Sequence, residues 1–228
     1  MGTHTHRTHE SGRTRAGVLG ANDGILSISG LMLGVAATHA GRPELLVAGL
    51  AGLVAGALSM GTGEFVSVSS QADIERADLE IEREALESDF AGESEELREI
   101  YVRRGLDPEL AAQVAHQLMQ HDALGAHARD EIGITDALSA RPLQAAAASM
   151  ISFAIGGLVP FLAAWFAPQT ETVVAIAIVS LISLAALGAT AARAGGAHVL
   201  RGAARILVWG AATMAVTSAI GSLIHAGI

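Results

Sequence analysis

The residues with chemistry to offer are acids set among apolar neighbours. Asp23 lies within GANDGILSISGLMLGVAA, residues 20–37, a stretch of apolar and small side chains with no Arg or His within six positions. Glu64 lies in a second such stretch, GALSMGTGEFVSV, with Met60 four residues earlier and so on the same helical face. A charged side chain at the centre of a spanning helix costs roughly 2.5–3.5 kcal/mol, and no Arg lies at comparable depth to offset it. Water, a proton or a cation must do so. Two carboxylates and a thioether suit a divalent ion such as Fe2+ or Mn2+ better than Mg2+, which has no use for sulfur. The competing reading is that both acids sit at headgroup level and are simply hydrated. Met32, further along the first stretch, is either a second soft ligand or ordinary packing.

Crossing a bilayer takes about 20 mainly apolar residues, and five segments qualify: 16–38, 44–70, 143–166, 172–192 and 204–226. The expected fold is an all-α membrane protein of five transmembrane helices. HAGRPE makes a tight turn between the first two, and Pro160 is expected to kink the third. Cytoplasmic segments collect basic residues. With the N-terminus inside, the inner segments carry every Arg except Arg42, which predicts a C-terminus outside; the membrane expected is the cytoplasmic one. Counted from that side at the helical rise, Asp23 is about 10 Å deep and Glu64 about 9 Å. The pairs Gly20/Gly24, Gly30/Gly34 and Gly52/Gly56 let helices approach closely, either within the chain or at a dimer seam.

The chain has 228 residues, a net charge of −9 and no Cys, which excludes disulfides and thiolate sites. Of its 23 acids, 18 fall between Asp73 and Asp136, so the charge belongs to one block. The expected organisation is a flexible tail (1–15), two spans (16–70), a cytoplasmic acidic helical domain (71–142) and three more spans (143–228). The tail carries His4, His6 and His9, a possible weak metal site, and lacks a signal peptide's apolar core.

The acidic block reads as three helices. The first continues the second span, with Glu75/Asp78/Glu82 on one face and Glu80/Glu84/Glu87 on another, and Gly92-Glu93 breaks it. The second pairs Glu93 with Glu96 and Glu95 with Glu99. Asp107 caps the third, with Pro108 in its first position; it runs to about Glu131 and offers His116, Met119, His121 and His127. Acidic helices are often no more than solvated faces. Here the acids of residues 73–100 far outnumber the bases, and such a cluster concentrates cations. No Glu is followed three residues later by His, as a di-iron bundle would require, and no HExxH, GxSxG or Walker-type motif occurs. No enzyme is expected, nor an organic cofactor or nucleic-acid partner.

The segments GVLGANDGILSISGLMLGV, AGLVAGALSMGTGEFVSVSSQADIERADLEIERE, HDALGAHARDEIG and RPLQAAAASMISFAIGGLVPF closely resemble the vacuolar iron transporter family, over about residues 15–226. The resemblance implies a homodimer of five-span subunits whose first spans line a path for Fe2+ or Mn2+, exported from the cytosol in exchange for protons. It assigns Asp23, Met60 and Glu64 to the path. It assigns capture of the ion to Glu82, Glu93, Glu96 and Glu131, with Glu80, Glu84 and Glu87 as further candidates on the first helix. Where some relatives have a Met pair before the last Glu, this chain has His127 and Ala128, and His127 is a candidate ligand. The alternatives are a membrane-anchored metal buffer or sensor without transport, and an anchored interaction module with no metal dependence.

Overall fold

The computed structural model describes residues 11–134 and 141–227, with side chains from residue 17; the His-bearing tail before residue 11 and Asp136 lie outside the described residues. The described chain is all helical: α1 (Ser11–Ala36), α2 (Arg42–Ser88), α3 (Phe90–Arg103), α4 (Pro108–His127), a π-helical turn (Ala128–Ile132), α5 (Pro142–Phe166), α6 (Thr172–Ala194) and α7 (Val199–Gly227). Five of these, α1, α2, α5, α6 and α7, are long and apolar enough to cross a membrane. α2 is one 47-residue helix in which apolar sequence passes into acidic sequence without a break. α5 continues past the buried Pro160. The chain forms two compact units, one made of the residues up to Phe65 and from Leu143 onward, the other of Val66–Pro142.

In the first unit the helices are apolar around most of their circumference, so hydrophobicity alone cannot choose which faces meet. Small residues do. A Cβ added at Gly24 would lie 2.1 Å from the Phe153 carbonyl oxygen, and one at Gly156 would lie 2.1 Å from that of Ala21, so α1 and α5 touch backbone to backbone. The same holds for α1 and α7, where a Cβ at Gly221 would meet the Gly34 oxygen at 2.1 Å. All three small-residue pairs noted in the sequence pack within the chain, Gly20 on Ser152, Gly34 on Thr217 and Gly56 on Phe153 among them. Met32 is fully buried, with its sulfur over Gly49, so it packs the core and has no free face for an ion. Arg42 donates to the carbonyls of Trp165 and Ala167 and so caps the C-terminal end of α5.

The second unit is built from the acidic end of α2, α3, α4 and the π turn, around Leu97, Ile100, Ala115, Met119 and Ala126. The break expected at Gly92-Glu93 falls earlier, at Asp89. Its carboxylate accepts from the Gly92 N–H at 2.9 Å and caps α3. Asp122 does the same for Gly125 at 3.0 Å, and its non-helical backbone (φ −162°, ψ 88°) splits α4 into two segments. Both caps read Asp-x-x-Gly, and in both a Cβ on the glycine would strike the Asp carboxylate, at 2.4 and 2.1 Å. Asp107 and Pro108 start α4 as expected.

The α1–α5 contact leaves no room for a side chain. Gly24→Val should therefore lower the melting temperature of the purified protein sharply, since overpacking costs typically about 1–3 kcal/mol. Gly63→Ala, where an added Cβ meets nothing within 4 Å, should leave melting unchanged or raise it slightly. Thermal unfolding of both variants in the same detergent checks the contrast.

Candidate metal centre

The second unit gathers carboxylates from three helical segments around one buried imidazole. Glu82 comes from α2, Glu93 from the first turn of α3, His127 from the last turn of α4 and Glu131 from the π turn. His127 is 0% and Glu82 6% exposed. His127 Nδ1 lies 2.8 Å from Glu131 Oε2, 3.1 Å from Glu82 Oε1 and 4.0 Å from Glu93 Oε2. One ring nitrogen carries at most one hydrogen. It serves Glu131, and Glu82 Oε1, though within ion-pair range, is left without a hydrogen bond. His127 Nε2, on the far side of the ring, is also buried without a partner.

Burial pushes the Glu82 carboxyl above its ordinary value; the His127 ring opposes the rise, while Glu131, Glu93 and Glu96 add to it. Glu93 is raised by burial first, then by Glu96, with His127 again opposing. The cluster is therefore short of positive charge. One ligand atom from each of Glu82, His127 and Glu131 lies within 4.8 Å of the others. Separations near 3 Å are those of neighbouring ligands on an ion bound at about 2.1 Å. The donor set is oxygen plus one imidazole nitrogen, which suits Mn2+, Fe2+ or Zn2+. If Nδ1 ligated, its hydrogen would move to Nε2, which has no acceptor, whereas a ligating His ordinarily donates its other N–H. The carboxylates are thus the better ligands, and the ring beside them opposes the rise of Glu82 and Glu93.

Other sequence candidates fall elsewhere. Glu80 pairs with Arg83 and is exposed; Glu84 and Glu87 are exposed as well, because at 100° per residue they share a face that turns away from Glu82. Glu96 is exposed beside Glu93, near enough to raise both Glu82 and Glu93. Met119 is buried in the unit's core, so its thioether is committed to packing. His116 is hydrogen-bonded to Gln120, and His121 is exposed.

One positioning group was not anticipated from the sequence. Asp130 accepts from Tyr101 Oη at 2.8 Å, from Arg104 at 2.5 Å and from Arg129 at 3.0 Å, while Arg104 also donates to its carbonyl oxygen. Burial would raise the Asp130 carboxyl, but the Arg104, Tyr101 and Arg129 hydrogen bonds outweigh it and hold it below its usual value. This clamp ties the π turn to the end of α3 and so fixes Glu131. The DE pair in ARDEI is the available signal, with one acid of each kind.

In the first unit, Asp23 is half-buried and accepts a hydrogen bond from Ser27 Oγ at 3.1 Å, one turn along α1. Glu64 and Met60 are half-buried on α2, with Met60 packed against the core. No ion pair among the described residues involves Asp23 or Glu64. Leu19, Ser27 and Leu31, at four-residue steps from Asp23, are exposed and form one stripe of α1 with it.

Comparison with known proteins gives a consistent result. The profile of the VIT family matches residues 14–222. A "Vacuolar iron transporter" of Acanthamoeba castellanii is 48% identical over 214 residues, 93% of this chain and 79% of its own length. "Vacuolar iron transporter homolog 1" of Oryza sativa subsp. japonica is 39% identical over 89% of this chain and 70% of its own length. "Vacuolar iron transporter homolog 2" of Arabidopsis thaliana is 34% identical over 92% and 83%.

The raised carboxyls fix the direction of the pH dependence. A carboxyl raised in the folded state stabilises the empty unit below its unfolded pKa, about 4.3 for Glu, and that contribution fades as pH rises through the folded value. Protons therefore compete with metal from above the usual carboxylate range downward. Mn2+ binding by the full chain in nanodiscs, followed by calorimetry, should strengthen steadily from pH 5 to pH 7.5. Glu82→Gln should weaken it by about tenfold or more at pH 7.5 and flatten the pH dependence.

Proposed function

The chain belongs to the VIT family, and on that premise we propose that it carries a divalent metal, Fe2+ or Mn2+, out of the cytosol across the cytoplasmic membrane in exchange for protons, as a homodimer. The acidic unit faces the cytosol and gathers the ion on Glu82, Glu93 and Glu131, with Glu96 adding field at the rim. Asp23 and Glu64 receive it within the membrane, and Met60 adds a polarizable sulfur. Protons reaching those carboxylates from the outer side release it.

The observation that carries this reading is the position of Asp23. Its carboxylate lies half-buried on an exposed apolar stripe of α1, supported only by a serine hydroxyl. Left against lipid it would be costly. A second copy laid along the same stripe would enclose two such carboxylates in a polar seam, where a passing cation or proton offsets their charge. An anchored buffer needs no acid there.

Asp23→Ala should abolish metal-dependent flux in proteoliposomes, a fall of at least about a hundredfold if the carboxylate is a direct ligand, while leaving metal binding at Glu82 intact. Flux of Fe2+ and Mn2+ into vesicles of known orientation, with an interior pH dye reporting counter-movement of protons, tests it. Undiminished transport by Asp23→Ala would refute the path. Tight binding without flux in the unmodified protein would favour the buffer.

A further inference from the structure

Of the methionines among the described residues, Met32, Met119 and Met214 are core filler, at 0%, 5% and 5% exposed. Met60 and Met150 differ. Each packs against the core of the first unit on one side yet stays only half-buried, so neither thioether is fully committed to packing. They come from different helices, α2 and α5, and they border the same short segment of α2.

That segment runs from Met60 to Glu64, and Gly61 decides what lies over it. A Cβ built on Gly61 would stand 2.7 Å from Met150 Cε and 3.3 Å from Met150 Cβ. Both ends of the Met150 side chain therefore border the glycine, and its sulfur lies between them along the chain. The missing Cβ is what makes room. A second contact fixes the register, because a Cβ on Gly56 would meet the Phe153 ring at 2.3 Å, so α2 and α5 run antiparallel over these turns. Seen down α2, Glu64 lies between Met60 and Gly61, about 40° from the first and 60° from the second. Residues three and four apart on a helix are surface neighbours, so the half-buried Glu64 carboxyl has Met60 on one flank and Met150 over the other. Sulfur changes what such a site prefers. Mn2+ is suited by oxygen ligands, whereas Fe2+ stands above it in general affinity and gains more from a soft donor.

We propose that the Met150 thioether joins Met60 beside Glu64 and gives the path a preference for Fe2+ over Mn2+. The inference rests on the transport reading above and names the ion which that path favours. Flux of Mn2+ and of Fe2+, kept reduced with ascorbate, is measured in proteoliposomes singly and in competition. The unmodified protein should move Fe2+ in preference to Mn2+. Met150→Leu, which keeps the volume and removes the sulfur, should melt like the unmodified protein and lower that preference by about fivefold. Gly61→Ala, which pushes the thioether away without removing it, should lower the preference too, and covers a failure of Met150→Leu to fold. The double variant should lower it no further than Met150→Leu alone, because both changes act through one contact. A preference unchanged in folded Met150→Leu overturns the proposal, as does a preference for Mn2+ in the unmodified protein. An equal loss of flux for both ions also overturns it, since that is the mark of disturbed packing. Absence of any flux in the unmodified protein would remove the transport reading itself, whereas flux whose preference ignores Met150 removes this inference alone.

Discussion

One hydrogen on His127 Nδ1 faces more carboxylates than it can serve. Glu131 takes it at 2.8 Å, Glu82 stands at 3.1 Å with an oxygen unsatisfied, and Glu93 is further off at 4.0 Å. Buried polar atoms normally find a partner, and a buried charge without one is costly. Burial raises the Glu82 and Glu93 carboxyls and the His127 ring opposes that rise, so the ring supplies part of what is missing. A dication would supply it more fully, with oxygen ligands already near bonding separations. The cluster is thus a candidate site by deficit: its geometry is held in place while its charge is incomplete.

Holding that geometry falls to groups with no metal chemistry. Asp89 and Asp122 each end one helical segment and begin the next by accepting a glycine N–H, which sets where Glu93 and His127 face. Asp130, fixed by Tyr101, Arg104 and Arg129, anchors the π turn so that its neighbour Glu131 projects toward His127. π turns often occur at functional positions because the extra residue in the turn re-aims side chains. In the membrane unit the equivalent task is done by what is missing, the Cβ of Gly24, Gly156 and Gly221, whose absence lets α1 meet α5 and α7.

Much of this was readable in the sequence. The apolar runs gave five span-length helices because a bilayer's thickness sets a length that composition displays directly, and Asp107-Pro108 marked the start of α4 because capping is local chemistry. The break before α3 was placed late, at Gly92, since glycine is the louder signal; the structure uses Asp89 to end α2 and Gly92 to donate to it. The acid pattern alone did not say which face of α2 turns inward, because the helix carries acids on two faces; the family resemblance put Glu82 first, and the tertiary partners α3 and α4 are what bury it while Glu80, Glu84 and Glu87 stay exposed. Met32 and Met119 show the same limit. A thioether is equally good as ligand or filler, and the core claimed both.

The imidazole also bears on what kind of site a carrier can use. The same carboxylates without the ring would bind a dication tightly and release it slowly, and without the ion the buried Glu82 would strain the unit. With His127 among them, part of the binding free energy is already spent on an internal hydrogen bond that the metal must replace. The consequence is weaker binding and a unit that stays folded when empty. In the proposed reading both are assets, because an ion captured at Glu82 must still leave for Asp23. The same reasoning separates the two acid sites. Glu82 can be buried because a ring is built in beside it, whereas Asp23 has only Ser27, and so depends on whatever cation or proton arrives.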